Sequence, residues 1–218
     1  MLRGAVQYDQ AMTIDVRLTT LGALWAAWAE QGQAMTEEQW GYPTRLGSWD
    51  VRSLYAHAAS WPFAFASFVD QVRDPEPPQA TAAALLRYLN TPGGIAHSQR
   101  DQVATTARAD ADRYSTAQMI EQFASAGPQA IVRARQRGDV AVDYFGQVIL
   151  RLADAVSIGI LEATVHLLDL QRALDQPPTV PADGLAHTAA LLAEIAPPVD
   201  FIEIATGRST ANPFPVLT

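Results

Sequence analysis

The feature that most constrains this chain is a long apolar tract carrying ionisable groups at helical spacing. It runs from Val148 to Leu170 and predicts part of a helix spanning roughly residues 147–174. Glu162 and His166 stand four residues apart there, so in a helix they project from one face, about 5–6 Å apart at Cβ. A buried carboxylate needs a partner. This stretch alone leaves two interpretations open: a metal ion between the two side chains, or a solvated Glu–His pair on a polar stripe.

Composition restricts the class of protein. The tract is unsuited to a membrane span because it contains five ionisable residues, Arg151, Asp154, Glu162, His166 and Asp169. The first nine residues lack the apolar region of a signal peptide. The 218 residues are 49% hydrophobic and carry a net charge of −8, which favours a globular core and argues against nucleic acid or an anionic membrane as partner. We therefore expect a soluble, cytoplasmic protein.

Apolar residues recur at helical spacing along most of the chain, and an alternating strand pattern is almost missing. Besides the long tract, we expect helices over residues 14–33, 50–72, 80–89, 95–111, 115–137, 183–195 and 199–206. The proline-rich residues 177–181 predict a rigid linker. The predicted fold is therefore all-α. Residues 1–176 would form a four-helix bundle that carries the site, and residues 177–218 a short helical extension packed on it.

The chain has four histidines, His57, His97, His166 and His187. An isolated histidine on a helix is usually an ordinary surface or core residue, and we keep that interpretation for His97 and His187. His57 differs because it lies inside a strongly apolar helix, as His166 does. Trp49 and Trp61 could line a pocket near His57, although aromatic residues at helical spacing belong more often to the core.

Two motifs carry a resemblance to a known family. The first is Trp40-x-x-Pro43-Thr44-x-x-x-x-Trp49-Asp50-Val51-Arg52-x-Leu54-x-x-His57, and the second is Glu162-x-x-x-His166-x-x-Asp169-Leu170-x-x-x-Leu174. The run from Phe201 to Arg208 also looks like the family's closing helix and Gly-Arg ending. Together they resemble the mycothiol-dependent maleylpyruvate isomerase family, metalloenzymes with a DinB-like four-helix bundle. The resemblance thus implies that bundle, although the short C-terminal piece does not predict a full second domain.

The resemblance implies a divalent metal, with zinc the expected ion, held by His57, Glu162 and His166. Two imidazoles and one carboxylate form a common three-ligand site that leaves positions open for water or substrate. Asp169, one turn after His166, could orient a ligand, or could equally be a solvated residue near the helix end. Arg208 could contact a substrate or cofactor, or could have only a structural role.

The family's chemistry uses mycothiol as an external sulfur nucleophile, and the chain itself contains no cysteine. The expected partners are thus a low-molecular-weight thiol and a small electrophilic substrate. Addition of a thiolate to an activated double bond, followed by elimination, is isomerisation, whereas addition alone is S-conjugation. Two alternatives stay open: a non-enzymatic metal- or ligand-binding bundle, and a non-haem iron enzyme, whose facial triad has the same ligand types.

Overall fold

The structure is a computed structural model that describes residues 13–91, 93–210 and 215–217. The expectation about the first nine residues concerns a segment outside the described residues. Residues 211–214, around Pro213, also lie outside them. Within them the fold is all-α and DinB-like, as predicted, with one small two-stranded sheet. No described helix combines the length and the apolar character needed to cross a membrane.

The bundle is built from three long helices and one composite helix. The long helices are α1 (Ile14–Ala34), α2 (Val51–Asp70) and α8 (Leu152–Ala173). The composite consists of α6 (Thr116–Glu121), a π-helical turn (Gln122–Ala126) and α7 (Gly127–Arg137). Helices α1 and α2 each pack against both α8 and the composite helix. Their apolar faces meet in one core, as in other four-helix bundles.

The helix starts were readable because short polar side chains cap them. Asp50 accepts a hydrogen bond from the Ser53 amide at the start of α2. Ser115 and Gln118 form a reciprocal capping box at the start of α6. The composite helix contains a π-helical turn just before Pro128.

The expected start of the long helix near residue 147 was wrong. Strands β1 (Ala141–Tyr144) and β2 (Val148–Arg151) form an antiparallel hairpin, so α8 begins only at Leu152. The Asp139 carboxylate accepts a hydrogen bond from the Ala153 amide, which satisfies a free donor in the first turn of α8. An apolar run of this kind suits a buried strand as well as a buried helix, so its hydrophobic period could not locate the boundary.

Shorter helices flank the bundle: α3 (Ala82–Leu89), α4 (Ile95–Ser98), α5 (Arg100–Arg113), α9 (Ala182–Ile195) and α10 (Pro198–Ala205). The single helix expected over residues 95–111 is divided at Gln99, which adopts a non-helical backbone conformation. Helix α5 packs on α2, and α9 packs on α8 and α3. Residues 177–218, predicted as an extension packed on the bundle, therefore contribute α9 to the face of α8; that they form a separate unit remains a prediction.

A buried aromatic cluster fixes α8 against α1. The Trp28 indole donates to the Ala163 carbonyl at 3.0 Å, and the Tyr55 hydroxyl donates to the Trp28 carbonyl at 2.9 Å. Phe123 stacks on Trp28 with ring centroids 5.3 Å apart. Since Ala163 directly follows Glu162, the Trp28 bond holds the backbone beside one of the candidate metal ligands.

Candidate metal centre

The three expected ligands come together between α2 and α8. His57 projects from α2, while Glu162 and His166 project from successive turns of α8. One ligand atom from each lies within 4.8 Å of the other two. Glu162 Oε2 is 3.4 Å from His166 Nε2 and 4.0 Å from His57 Nε2. The side chains retain 18–24% of their exposure, so solvent or a small ligand can reach them.

A second layer of polar contacts orients His166. Its Nδ1 lies 3.0 Å from Asp169 Oδ2, which leaves Nε2 directed toward Glu162. Arg45 Nε in turn donates to Asp169 Oδ1 at 2.6 Å, and the Asp169 side chain is only 3% exposed. A carboxylate behind a histidine, itself held by an arginine, is the arrangement that fixes ring orientation in metal-binding histidines.

The surrounding protein groups give the two histidines different pKa values. Burial and the nearby charge of His166 lower the pKa of His57 to about 4, so His57 is neutral at pH 7. Burial also disfavours charge on His166, but its hydrogen bonds to Asp169 and Glu162 outweigh this and raise its pKa to about 9. A cation that binds here would meet one neutral imidazole and would have to displace a proton from the other.

Glu162 supplies the anionic donor. Burial favours its protonated form, but the hydrogen bond and positive charge of His166 hold its pKa below the usual range. An ionised carboxylate beside two imidazoles forms a donor set that zinc and other borderline divalent ions favour. The donor atoms of these three side chains are therefore suited to binding a divalent cation.

The candidate ligands stand between two clefts. The first, here called the leucine cleft, has a volume of about 800 Å³ and is lined by Glu162 and His166 together with Leu86, Leu89, Leu161, Val165, Leu192 and Leu217. The second, here called the aromatic cleft, has a volume of about 500 Å³ and is lined by His57 with Trp61, Phe63, Phe68, Asp143 and Phe145. Small molecules could therefore approach the ligand cluster from two sides.

The other sequence candidates have different positions. Trp61 lines the aromatic cleft, and Trp49 packs edge-on against His57 with ring centroids 5.2 Å apart. Arg208 is exposed after the end of α10, donates to the Thr206 carbonyl, and lines neither cleft. His97 and His187 lie on α4 and α9, and neither belongs to the metal-capable cluster found among the described residues.

Sequence reasoning missed Arg45. It sits in an exposed loop, 124 residues before its partner Asp169, so no local periodicity could identify the pair. The one available signal was its position directly after Pro43 and Thr44 of the first motif. Arg52 of the same motif has a structural role, since its guanidinium donates to Ala111 and Tyr114 carbonyls and to the Thr116 hydroxyl.

A comparison with protein families identifies the family of the chain. A family model described as the mycothiol maleylpyruvate isomerase N-terminal domain matches residues 21–171. The chain belongs to this family. The matched region contains His57, Glu162 and His166, together with Asp169 and Arg45 around them. No curated protein and no solved structure matches the chain.

The name of the family points to mycothiol-related enzymes, and the all-α fold agrees with a DinB-like bundle. The match ends inside α8, so α9, α10 and residues 215–217 lie outside the region that the family defines. Part of the leucine cleft, including Leu192 and Leu217, therefore comes from outside the family match.

Proposed function

We propose that this chain is a metal-dependent enzyme that uses a low-molecular-weight thiol, mycothiol by family, to isomerise or S-conjugate a small electrophile. His57, Glu162 and His166 would hold one divalent cation, with zinc the first choice. The observation that carries the proposal is the convergence of these three donors at a point reached from two clefts. The protein would act where mycothiol is available, in the cytoplasm.

A bound divalent cation would supply Lewis acidity that favours the thiolate form of a thiol at neutral pH. The chain's own residues would arrange the rest. Asp169 would fix the ring of His166, Arg45 would hold Asp169, and the two clefts would admit thiol and electrophile from different sides. Neutral His57 offers a lone pair without first losing a proton.

The covalent step balances without an oxidant or reductant. The thiol loses its proton, and the thiolate forms a C–S bond to one carbon of an activated double bond. Rotation about the resulting single bond and elimination of the thiolate give the isomer and regenerate the thiol. Protonation of the neighbouring carbon instead retains the C–S bond and gives the conjugate.

The two alternatives have less support. A non-enzymatic metal- or ligand-binding bundle, such as a sensor or resistance protein, would be favoured by a pocket that side chains close completely, whereas two open clefts are present here. A non-haem iron oxygenase shares the ligand types, but its usual scaffold is β-rich and this chain is all-α. Oxygen uptake by the iron-loaded protein with a candidate substrate would favour the iron enzyme.

Metal content tests the site. We expect about one divalent ion per chain in the purified wild type. The His57→Ala and Glu162→Ala variants each lack one of the three ligands, so each should lose roughly 90% or more of the bound metal. His97→Ala, a histidine outside the cluster, serves as the matched control and should retain the metal. Stoichiometric metal in both ligand variants would overturn the assignment.

Thiol dependence tests the reaction. The metal-loaded protein should transform an α,β-unsaturated carbonyl compound only when mycothiol is present, and His57→Ala should abolish that transformation. Conversion that proceeds at the same rate without any thiol would refute the thiol-dependent mechanism while leaving the metal site intact.

A further inference from the structure

The walls of the leucine cleft are mainly apolar, although the cleft reaches the candidate metal ligands. Leu86 comes from α3, Leu161 and Val165 from α8, and Leu192 from α9. Val216 and Leu217 close it from the C-terminal segment. Its volume of about 800 Å³ lies within the roughly 300–1,000 Å³ typical of small-molecule sites.

The charged groups in this cleft are confined to one helix. Glu162, His166 and Asp169 follow each other on one face of α8, and the remaining polar lining residues are the amides Asn90 and Gln99. No arginine belongs to the lining among the described residues. Arg45, which approaches from outside, is ion-paired with Asp169. The cleft therefore has ionisable side chains along one edge and mainly apolar side chains elsewhere. None of its described lining residues is an arginine that could bind an anionic group of the substrate.

We propose that the leucine cleft binds the uncharged apolar part of the substrate, an alkyl chain or aryl ring, and directs the attached electrophilic carbon toward Glu162 and His166. Only the electrophilic group of the substrate is taken from the proposed function. The preference for an apolar body follows from the cleft walls and can be measured without turnover.

The C-terminal part of the chain contributes part of the apolar wall. Leu192, Val216 and Leu217 lie outside residues 21–171, the region that the family model matches. The candidate ligands lie inside that region.

Binding of uncharged probes to the metal-loaded protein tests the inference directly. The fluorophore N-phenyl-1-naphthylamine should bind, and 1-alkanols should displace it with a Kd that falls roughly fourfold per methylene from 1-butanol to 1-octanol, the value for full burial of a methylene. Octane-1,8-diol has the same length but a polar group at both ends. It should require at least about tenfold higher concentration than 1-octanol, since one hydroxyl must then lose its hydration in an apolar wall.

A pair of Val→Arg variants locates the binding. Val103 lines the cleft from α5 and is 39% exposed, so an arginine can be placed there without breaking the core. Val132, 53% exposed on α7 and outside the cleft lining, is the matched control. We expect Val103→Arg to weaken binding of 1-octanol by about tenfold, which corresponds to about 1.4 kcal/mol, and Val132→Arg to leave it unchanged.

The outcomes separate this inference from the proposed function. Equal weakening in both variants, no dependence on chain length, or equal affinity for 1-octanol and the diol would each overturn the apolar-substrate inference. Chain-length-dependent binding lost only in Val103→Arg would support it even if no thiol-dependent turnover were found. If turnover occurs, rates with trans-2-octenal and trans-2-butenal should follow the binding order, and both should require mycothiol.

Discussion

His166 and Asp169, one helical turn apart on α8, are joined by a contact of 3.0 Å between Nδ1 and Oδ2. The contact turns the other imidazole nitrogen toward Glu162, and it continues outward to the exposed loop through Arg45. The orientation of a half-buried candidate ligand therefore depends on a residue at the surface.

The first prediction concerns Asp169. Asp169→Asn preserves the size of the side chain but removes its charge, so His166 should lose both orientation and basicity. We expect metal affinity to fall by about 10- to 100-fold, the usual effect of changing a hydrogen-bonded partner of a ligand. Competition with a chromophoric chelator measures this change. Asp183→Asn, an exposed position in the first turn of α9, is the control.

The second prediction concerns the pH dependence of metal binding. With a pKa of about 9, His166 is protonated at neutral pH in the protein without metal, and a cation must displace that proton. Apparent affinity should therefore rise about tenfold per pH unit across pH 6.0–8.0. An unperturbed histidine, with a pKa of about 6.5, would give an affinity that levels off near pH 7. A plateau in the wild type above pH 7 would contradict the elevated pKa.

The third prediction concerns Arg45. Arg45→Gln leaves the buried Asp169 carboxylate without its ion-pair partner, and we expect a loss of about 1 kcal/mol in the free energy of unfolding. His166 and Arg45 hold the pKa of Asp169 below its usual range against the effect of burial. The ion pair therefore contributes fully to the free energy of unfolding above the unfolded pKa of Asp169, about 3.9. This contribution is lost as pH falls through the lower pKa of Asp169 in the folded protein. Urea unfolding of both proteins at pH 7 and pH 3 should show a smaller difference at the lower pH.

The fourth prediction uses two glycines of α1. A Cβ at Gly32 would collide with the Tyr55 hydroxyl and approach Ile120 to 2.9 Å, so Gly32→Ala should destabilise the protein by about 1–3 kcal/mol. A Cβ at Gly22 would meet Ile131 at 3.4 Å, and there the better helix propensity of alanine should stabilise by up to about 1 kcal/mol. Thermal unfolding of the pair checks this, and similar shifts in both variants would exclude the proposed close contact at Gly32.

The sequence predicted the main helices because their apolar faces and caps are local signals. Periodicity located α1 and α2, and the spacing of Glu162 and His166 placed both on one face of α8. His57 could be joined to them only through the family resemblance, since no local pattern links residues more than one hundred positions apart. The three side chains do lie together, and their binding of a metal remains a prediction.

Features that depend on distant partners escaped prediction. The β1–β2 hairpin replaced the expected first turn of the long helix, because β1 also pairs with the chain after α2 through a bridge between Val72 and Val142. The leucine cleft likewise combines α3, α8, α9 and residues 215–217, whose proximity follows from packing alone. Local sequence patterns do not predict such contacts between distant elements.

Leu217 forms part of the leucine cleft, and this has a practical consequence for anyone producing the protein. An affinity tag fused after residue 218 would begin two positions beyond that wall and could occupy the cleft or displace Val216 and Leu217 from it. A tag placed before residue 1 avoids that segment. Ligand screens and activity assays should therefore use protein without a tag after residue 218.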